Sequence, residues 1–132
     1  MLGGAFSFAG ETVSGKQLGR AIGVPTINLQ VHPRKVLPAH GVYAARAIFD
    51  DDPTNQRNSH AVALSIGVNP TTESSDNIKV EFHVIGENIE TPPKSARLEV
   101  VAWLREEEKF ASLDELIIQM RHDIEAAKAM LA

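Results

Sequence analysis

The order of strand and helix signals predicts a mainly β fold, with about six short strands in antiparallel hairpin order and one C-terminal helix. Three observations carry this reading. Residues Ile78 to Ile85 alternate, with Ile78, Val80, Phe82 and Val84 on one face and Lys79, Glu81 and His83 on the other. That is the two-residue period of a half-buried strand. Polar, turn-rich stretches, DDDPTNQRN at Asp50–Asn58 and a second at Thr71–Asn77, separate apolar runs rich in β-formers. The chain then closes on Ser112-Leu113-Asp114-Glu115, a capping box, with Leu113, Leu116, Ile117, Met120, Ile124 and Ala127 at helical spacing behind it. Strands and helices do not alternate, so a parallel sheet is not expected. Short strands with turns between them make a sandwich or a small barrel.

Taken in order, Ala5 to Ala9 and Glu11 to Val13 read as a short strand, with Phe6 and Phe8 on one face. A glycine-rich stretch follows, and Asn28 to Val31 is short and extended. His32 to His40 carries Pro33 and Pro38 and reads as a loop. Gly41 to Phe49 and His60 to Val68 read as a hairpin around the polar tip, and Asn69-Pro70 ends the second strand. Gly86 to Lys94, with Pro92-Pro93, is a loop before the strand Arg97 to Leu104. The helix should run from Ser112 to about Met130 with a solvated polar face, and neither Arg121 nor Asp123 is read as functional. The 132 residues suit one domain, with no internal repeat.

Composition narrows the function classes. Hydrophobic content of 43% and charge content of 23% are those of an ordinary globular protein. A net charge of −4 argues against nucleic acid as a partner. There is no cysteine, which removes disulfides and thiolate metal sites. No apolar run reaches the ~20 residues of a membrane span, and the first residues lack the pattern of a signal peptide. A cytoplasmic location is expected.

The most unusual stretch is Gly15 to Asn28, GKQLGRAIGVPTIN. Gly15, Gly19 and Gly23 recur every four residues with Arg20 among them, followed by Pro25-Thr26-Ile27-Asn28. Glycine serves where the backbone turns sharply or approaches a ligand closely. In the extended segment after Pro25, Thr26 and Asn28 point one way and Ile27 the other. A cationic glycine loop beside a hydroxyl and an amide suits a phosphate or metal-phosphate ligand. Gly10, Gly15 and Lys16 imitate the start of a P-loop, but Gln17 replaces the metal-binding hydroxyl and the following glycines and proline oppose the required helix.

Gly23-Val24-Pro25-Thr26-Ile27-Asn28 resembles the G-[FIV]-P-T-A-N segment of riboflavin kinases. The resemblance extends along nearly the whole chain, through GVYAARA, SIGVNPT and VEFHVI, to the ending WLREEEKFASLDELIIQMRHDIEAAKAML. It implies a six-stranded antiparallel Greek-key barrel with a C-terminal helix, transferring the γ-phosphate of ATP to the ribityl 5′-hydroxyl of riboflavin to give FMN. Glu81 matches the family's general base, against the competing reading of a plain solvent-facing glutamate. Thr26 and Asn28 match its Mg²⁺ and phosphate ligands, and Gly15 and Arg20 its nucleotide loop. Arg105, Glu108 and Phe110 match flavin-side positions. His83 is expected to be a surface histidine.

The chain departs from the family pattern at two places. Ile27 stands where the family has alanine, and a branched side chain there is expected to crowd the nucleotide shelf. Asn88 to Ser95 lacks the family's tyrosine and glycine. A flavin- or nucleotide-binding module of the same fold, impaired in catalysis, is therefore the second reading. The bacterial bifunctional enzymes of this family place an adenylyltransferase domain ahead of the kinase module, and no segment here corresponds to it.

Overall fold

The computed structural model describes residues 6–13, 24–31, 37–49, 59–68, 78–87, 89 and 92–132. Among these residues six strands are present: β1 (Phe6–Val13), β2 (Ile27–Gln30), β3 (Gly41–Phe49), β4 (Ser59–Val68), β5 (Ile78–Val84) and β6 (Ser95–Arg105). One helix, α1 (Leu113–Leu131), follows them. The strands close into a barrel in the order β1-β2-β5-β4-β3-β6, with antiparallel pairing at every seam. Strands β3, β4 and β5 are consecutive neighbours, and β6 returns to lie beside β3. That is the Greek-key order, so of the two architectures open to the strand pattern the barrel is the one adopted.

The two-residue period sorts side chains between the barrel interior and its outer surface. Phe8, Leu29, Tyr43, Ala45, Val62, Leu64, Ile66, Val80, Phe82, Val84 and Leu98 form the interior cluster. Phe8 and Phe82 are almost wholly buried, at 1% and 0% exposure. Each such side chain contributes roughly 1.5–3 kcal/mol relative to exposure. The expected alternation in β5 holds for Val80, Phe82 and Val84, whereas Ile78, at the strand's start, is 43% exposed. The outer surface is apolar under the helix. Ala44, Ala61, Ala63 and Ala102 form a second cluster with Ala127 and Leu131 of α1. These small side chains let the helix lie close, which is why β3 is buried on both faces over most of its length.

Strand β6 carries two irregularities against β3, at Val42/Tyr43 and at Ala44/Ala45. Ala44 faces Ala102 while Ala45 faces Val100, so Val101 is an extra residue. Leu104 is extra in the same way between Trp103 and Arg105. Each bulge reverses the alternation. The first turns Ala102 outward beneath α1, and Trp103 meets Tyr43 edge-on at 5.3 Å. The second restores Arg105 to the outer surface.

The helix begins as its capping signal predicts. Ser112 is extended, at φ −144° and ψ 162°, and its Oγ accepts from the Glu115 amide at 3.2 Å. Asp114 and Glu115 add negative charge where the helix dipole favours it. At the other end, Arg46 of β3 donates to the Leu131 carbonyl at 2.8 Å. Two expectations fail here. Leu113 is 48% exposed instead of facing the barrel, and the polar face of α1 is not wholly solvated, because Asp123 is 6% exposed.

The P-loop reading of Gly10 is also ruled out by its place inside β1. A Cβ there would collide with the Gln30 carbonyl of β2, so this glycine serves close approach between strands. The predicted hairpin tip Asp50–Asn58 and the loop Thr71–Asn77 lie outside the described residues.

Candidate active site

Strand register assembles the site on the barrel's outer surface. Asn28 of β2 lies opposite Glu81 of β5, Glu81 opposite Ser65 of β4, Ser65 opposite Val42 of β3, and Val42 opposite Arg105 of β6. Directly opposed residues project to the same face. One row around five strands therefore carries residues separated by nearly eighty positions in sequence. Interior neighbours Leu64, Val80 and Phe82 anchor the strands that present it.

A cavity of about 300 Å³ opens between this surface and the first half of α1. Its strand side is formed by Val42, Ala63, Ser65, Lys79, Glu81 and His83. Leu116, Met120, Asp123 and Ile124 of α1 lie across from them. Val24, Thr26, Arg105, Glu107, Glu108 and Phe110 complete the wall. The helix is seated by Ala127 and Leu131 at its far end, so its near end stands over open space. Gly67 also shapes this region. A Cβ on it would overlap the Glu107 carboxylate, which lies against the bare strand.

Glu81 is partly buried and paired. Thr26 Oγ1 donates to its Oε2 at 3.1 Å, and Lys79 Nζ lies 3.8 Å from the same oxygen. Both contacts fall on Oε2, which leaves Oε1 without a hydrogen bond among the described residues. Asn28 shares the face but does not wall the cavity. Ile27 turns the other way and packs against the interior cluster, so it does not crowd the polar face that Thr26 and Asn28 share, contrary to expectation. His83 is not a plain surface residue either. Its Nδ1 lies 2.7 Å from the Pro25 carbonyl.

Arg105 is held by the helix. Its Nε and Nη2 donate to the two oxygens of Asp123, both at 2.8 Å, and Nη1 donates to the Glu106 carbonyl at 2.9 Å. Gln119 donates to Asp123 at 3.0 Å. The guanidinium lies 5.7 Å from the Phe110 ring centre. Hydrogen bonds to Asp123 raise the Arg105 pKa above its ordinary value. Partial burial opposes this, and the charges of Asp123 and Glu108 add to it. Arg105 is thus paired with a residue of α1. Asp123 walls the cavity, although nothing in the sequence marks it as functional.

Gly15 and Arg20 lie outside the described residues, as do Asn88, Glu90 and Thr91 of the altered loop. Ile89, from the same loop, packs against the barrel interior.

Magnesium takes oxygen ligands and keeps several waters when it binds with phosphates. The Thr26 hydroxyl, the Asn28 amide and the Glu81 carboxylate supply such oxygens on one face. Among the described residues no group of three or more His, Asp or Glu side chains could cage a metal by itself. The donor set fits an ion that arrives with a phosphate ligand.

A closed Greek-key barrel with a polar outer row beneath a terminal helix defines the class of fold. The Flavokinase family, described as riboflavin kinase, matches residues 2–131, and the chain belongs to it. It is 34% identical over 134 residues to the bifunctional riboflavin kinase/FMN adenylyltransferase of Pseudomonas fluorescens, covering all of this chain and 40% of that protein. Identity to the enzyme of the same name from Escherichia coli K12 is 32% over 123 residues, covering 93% of this chain and 37% of the relative. The RNA-binding riboflavin kinase RibR of Bacillus subtilis is 31% identical over 118 residues, covering 88% of this chain and 47% of that one. The chain thus spans less than half the length of these relatives. A crystal structure of a Streptococcus pneumoniae protein described as a macrolide-efflux protein superposes with a TM-score of 0.78 at 27% identity, over 94% of this chain and 38% of that one. Riboflavin kinase from Trypanosoma brucei superposes with a TM-score of 0.69 at 20% identity, over 97% and 78%, a likeness of fold. Among the described residues no helix is long and apolar enough to cross a membrane.

Proposed function

We propose that this chain is a riboflavin kinase domain that transfers the γ-phosphate of ATP to the ribityl 5′-hydroxyl of riboflavin, forming FMN and ADP. Membership of the family supports the reaction class. The observation that carries the assignment of roles is Glu81, which faces the cavity with one oxygen engaged by Thr26 and the other without a partner among the described residues.

Glu81 Oε1 accepts the proton of the 5′-hydroxyl as that oxygen attacks the γ-phosphorus and the bond to the β-phosphate oxygen breaks. A positioned base contributes ~10²- to 10⁴-fold to such a step. Thr26, by donating to Oε2, holds the carboxylate in one orientation. Thr26 and Asn28 are the residues that would hold Mg²⁺, which when bound neutralises phosphate charge. Gly15 and Arg20 are assigned to the nucleotide phosphates from the family resemblance. On the flavin side, Phe110, Leu116, Met120 and Ile124 offer an apolar wall and Glu108 a polar edge. Arg105 acts there by orienting that wall, since each of its three nitrogens already donates to Asp123 or Glu106. The inward direction of Ile27 supports a working kinase over an impaired binding module.

The test is direct. Wild-type protein incubated with riboflavin and Mg-ATP should produce FMN, and Thr26→Ala or Asn28→Ala should weaken Mg-ADP binding measured by calorimetry without loss of fold. Thermal stabilisation by FMN and ADP without product would favour the impaired module. Unchanged Mg-ADP affinity in both variants would remove the metal-phosphate assignment.

A further inference from the structure

A carbonyl oxygen can only accept a hydrogen bond. The 2.7 Å contact between His83 and the Pro25 carbonyl therefore places a proton on Nδ1, and in the neutral ring Nε2 is the acceptor. This bond sits where the β2–β5 ladder ends. The last register pair is Ile27 with Phe82, and the chain before it is no longer strand. Pro25 has no amide hydrogen and cannot donate to β5. The side chain of His83 makes the connection that the backbone there does not. What it holds is the residue next to Thr26, whose hydroxyl contacts Glu81 at 3.1 Å. Glu81 and His83 lie two residues apart on one face of β5, and both wall the cavity.

We infer that His83 is a positioning residue: its Nδ1–H tethers the Pro25 carbonyl to β5 and thereby fixes the Thr26 hydroxyl against Glu81. The tether itself stands on geometry alone, and its effect on turnover rests on the proposed kinase reaction. Displacement of a catalytic group by about 1 Å can lower a rate ~10²-fold, so a lost tether should appear in kcat.

Two variants separate positioning from simple packing. The amide nitrogen of Asn occupies the place of Nδ1, and that of Gln the place of Nε2. His83→Asn should keep the bond to Pro25 and most of the turnover. His83→Gln should lose it, with kcat falling roughly tenfold or more and the KM for riboflavin little changed. Denaturation midpoints measured on both variants should agree closely, whereas a purely structural histidine would make kcat follow stability. Long-range ¹⁵N–¹H spectra of the wild type recorded at alkaline pH, assigned by the signal lost in His83→Gln, should show the His83 ring proton on Nδ1. An Nε2-protonated ring, or equal kcat in the Asn and Gln variants, overturns the tether. An Nδ1-protonated ring in a wild type that makes no FMN supports the tether and removes the kinase reading instead.

Discussion

Ile27 divides one short strand between two tasks. Its neighbours Thr26 and Asn28 serve the outer surface, while its own side chain packs against the interior cluster. Ile27→Ala, the family's own residue, should therefore cost stability, about 1–2 kcal/mol for a partly buried isoleucine, and leave Mg-nucleotide affinity unchanged. Urea denaturation beside calorimetry checks both halves, and a gain in affinity would revive crowding. The faces of Thr26, Asn28, Glu81 and His83 were legible in the sequence, because strand alternation needs only local spacing. The hydrogen bond of His83 was not, since alternation identifies a face but not the carbonyl waiting across the next strand.

Element boundaries follow the same division. Strands β3 to β5 and helix α1 lie where alternation, turn residues and the capping box place them, to within a residue or two at their ends. Ser112→Ala should remove the acceptor for the Glu115 amide and destabilise by about 1 kcal/mol. A denaturation midpoint equal to wild type would show that the cap contributes nothing. Strand β6 also lies within two residues of its expected ends, but its faces did not follow from local spacing. Its two bulges reverse the alternation twice within a few residues, and the extra positions Val101 and Leu104 are fixed by pairing with β3, not by local sequence. The alanines of β3, β4 and β6 also gave no warning that a helix would cover them. A small residue on a strand reads alike in a core, beneath a helix or facing solvent.

Over the whole molecule, the site exists because barrel and helix are joined at one end and held apart at the other. Asp123 joins them through Arg105, eighteen positions earlier, with side-chain exposures of 9% and 19%. It looked solvated because helical periodicity records which face a residue occupies, while burial of a carboxylate depends on a distant cation meeting it. Asp123→Ala removes the carboxylate that pairs a mostly buried guanidinium and should destabilise by about 3 kcal/mol. The double change Arg105→Met with Asp123→Leu should recover much of that loss, and failure to recover it in urea titrations would mean that the pair does more than satisfy itself. The proposed chemistry, in turn, converges on Glu81. Steady-state kinetics of Glu81→Gln with riboflavin and Mg-ATP should show turnover lower by ~10²-fold or more, with KM values and stability close to wild type, because shape is kept and the proposed base is lost. A Glu81→Gln enzyme that retains most of the wild-type rate of FMN formation would contradict the account.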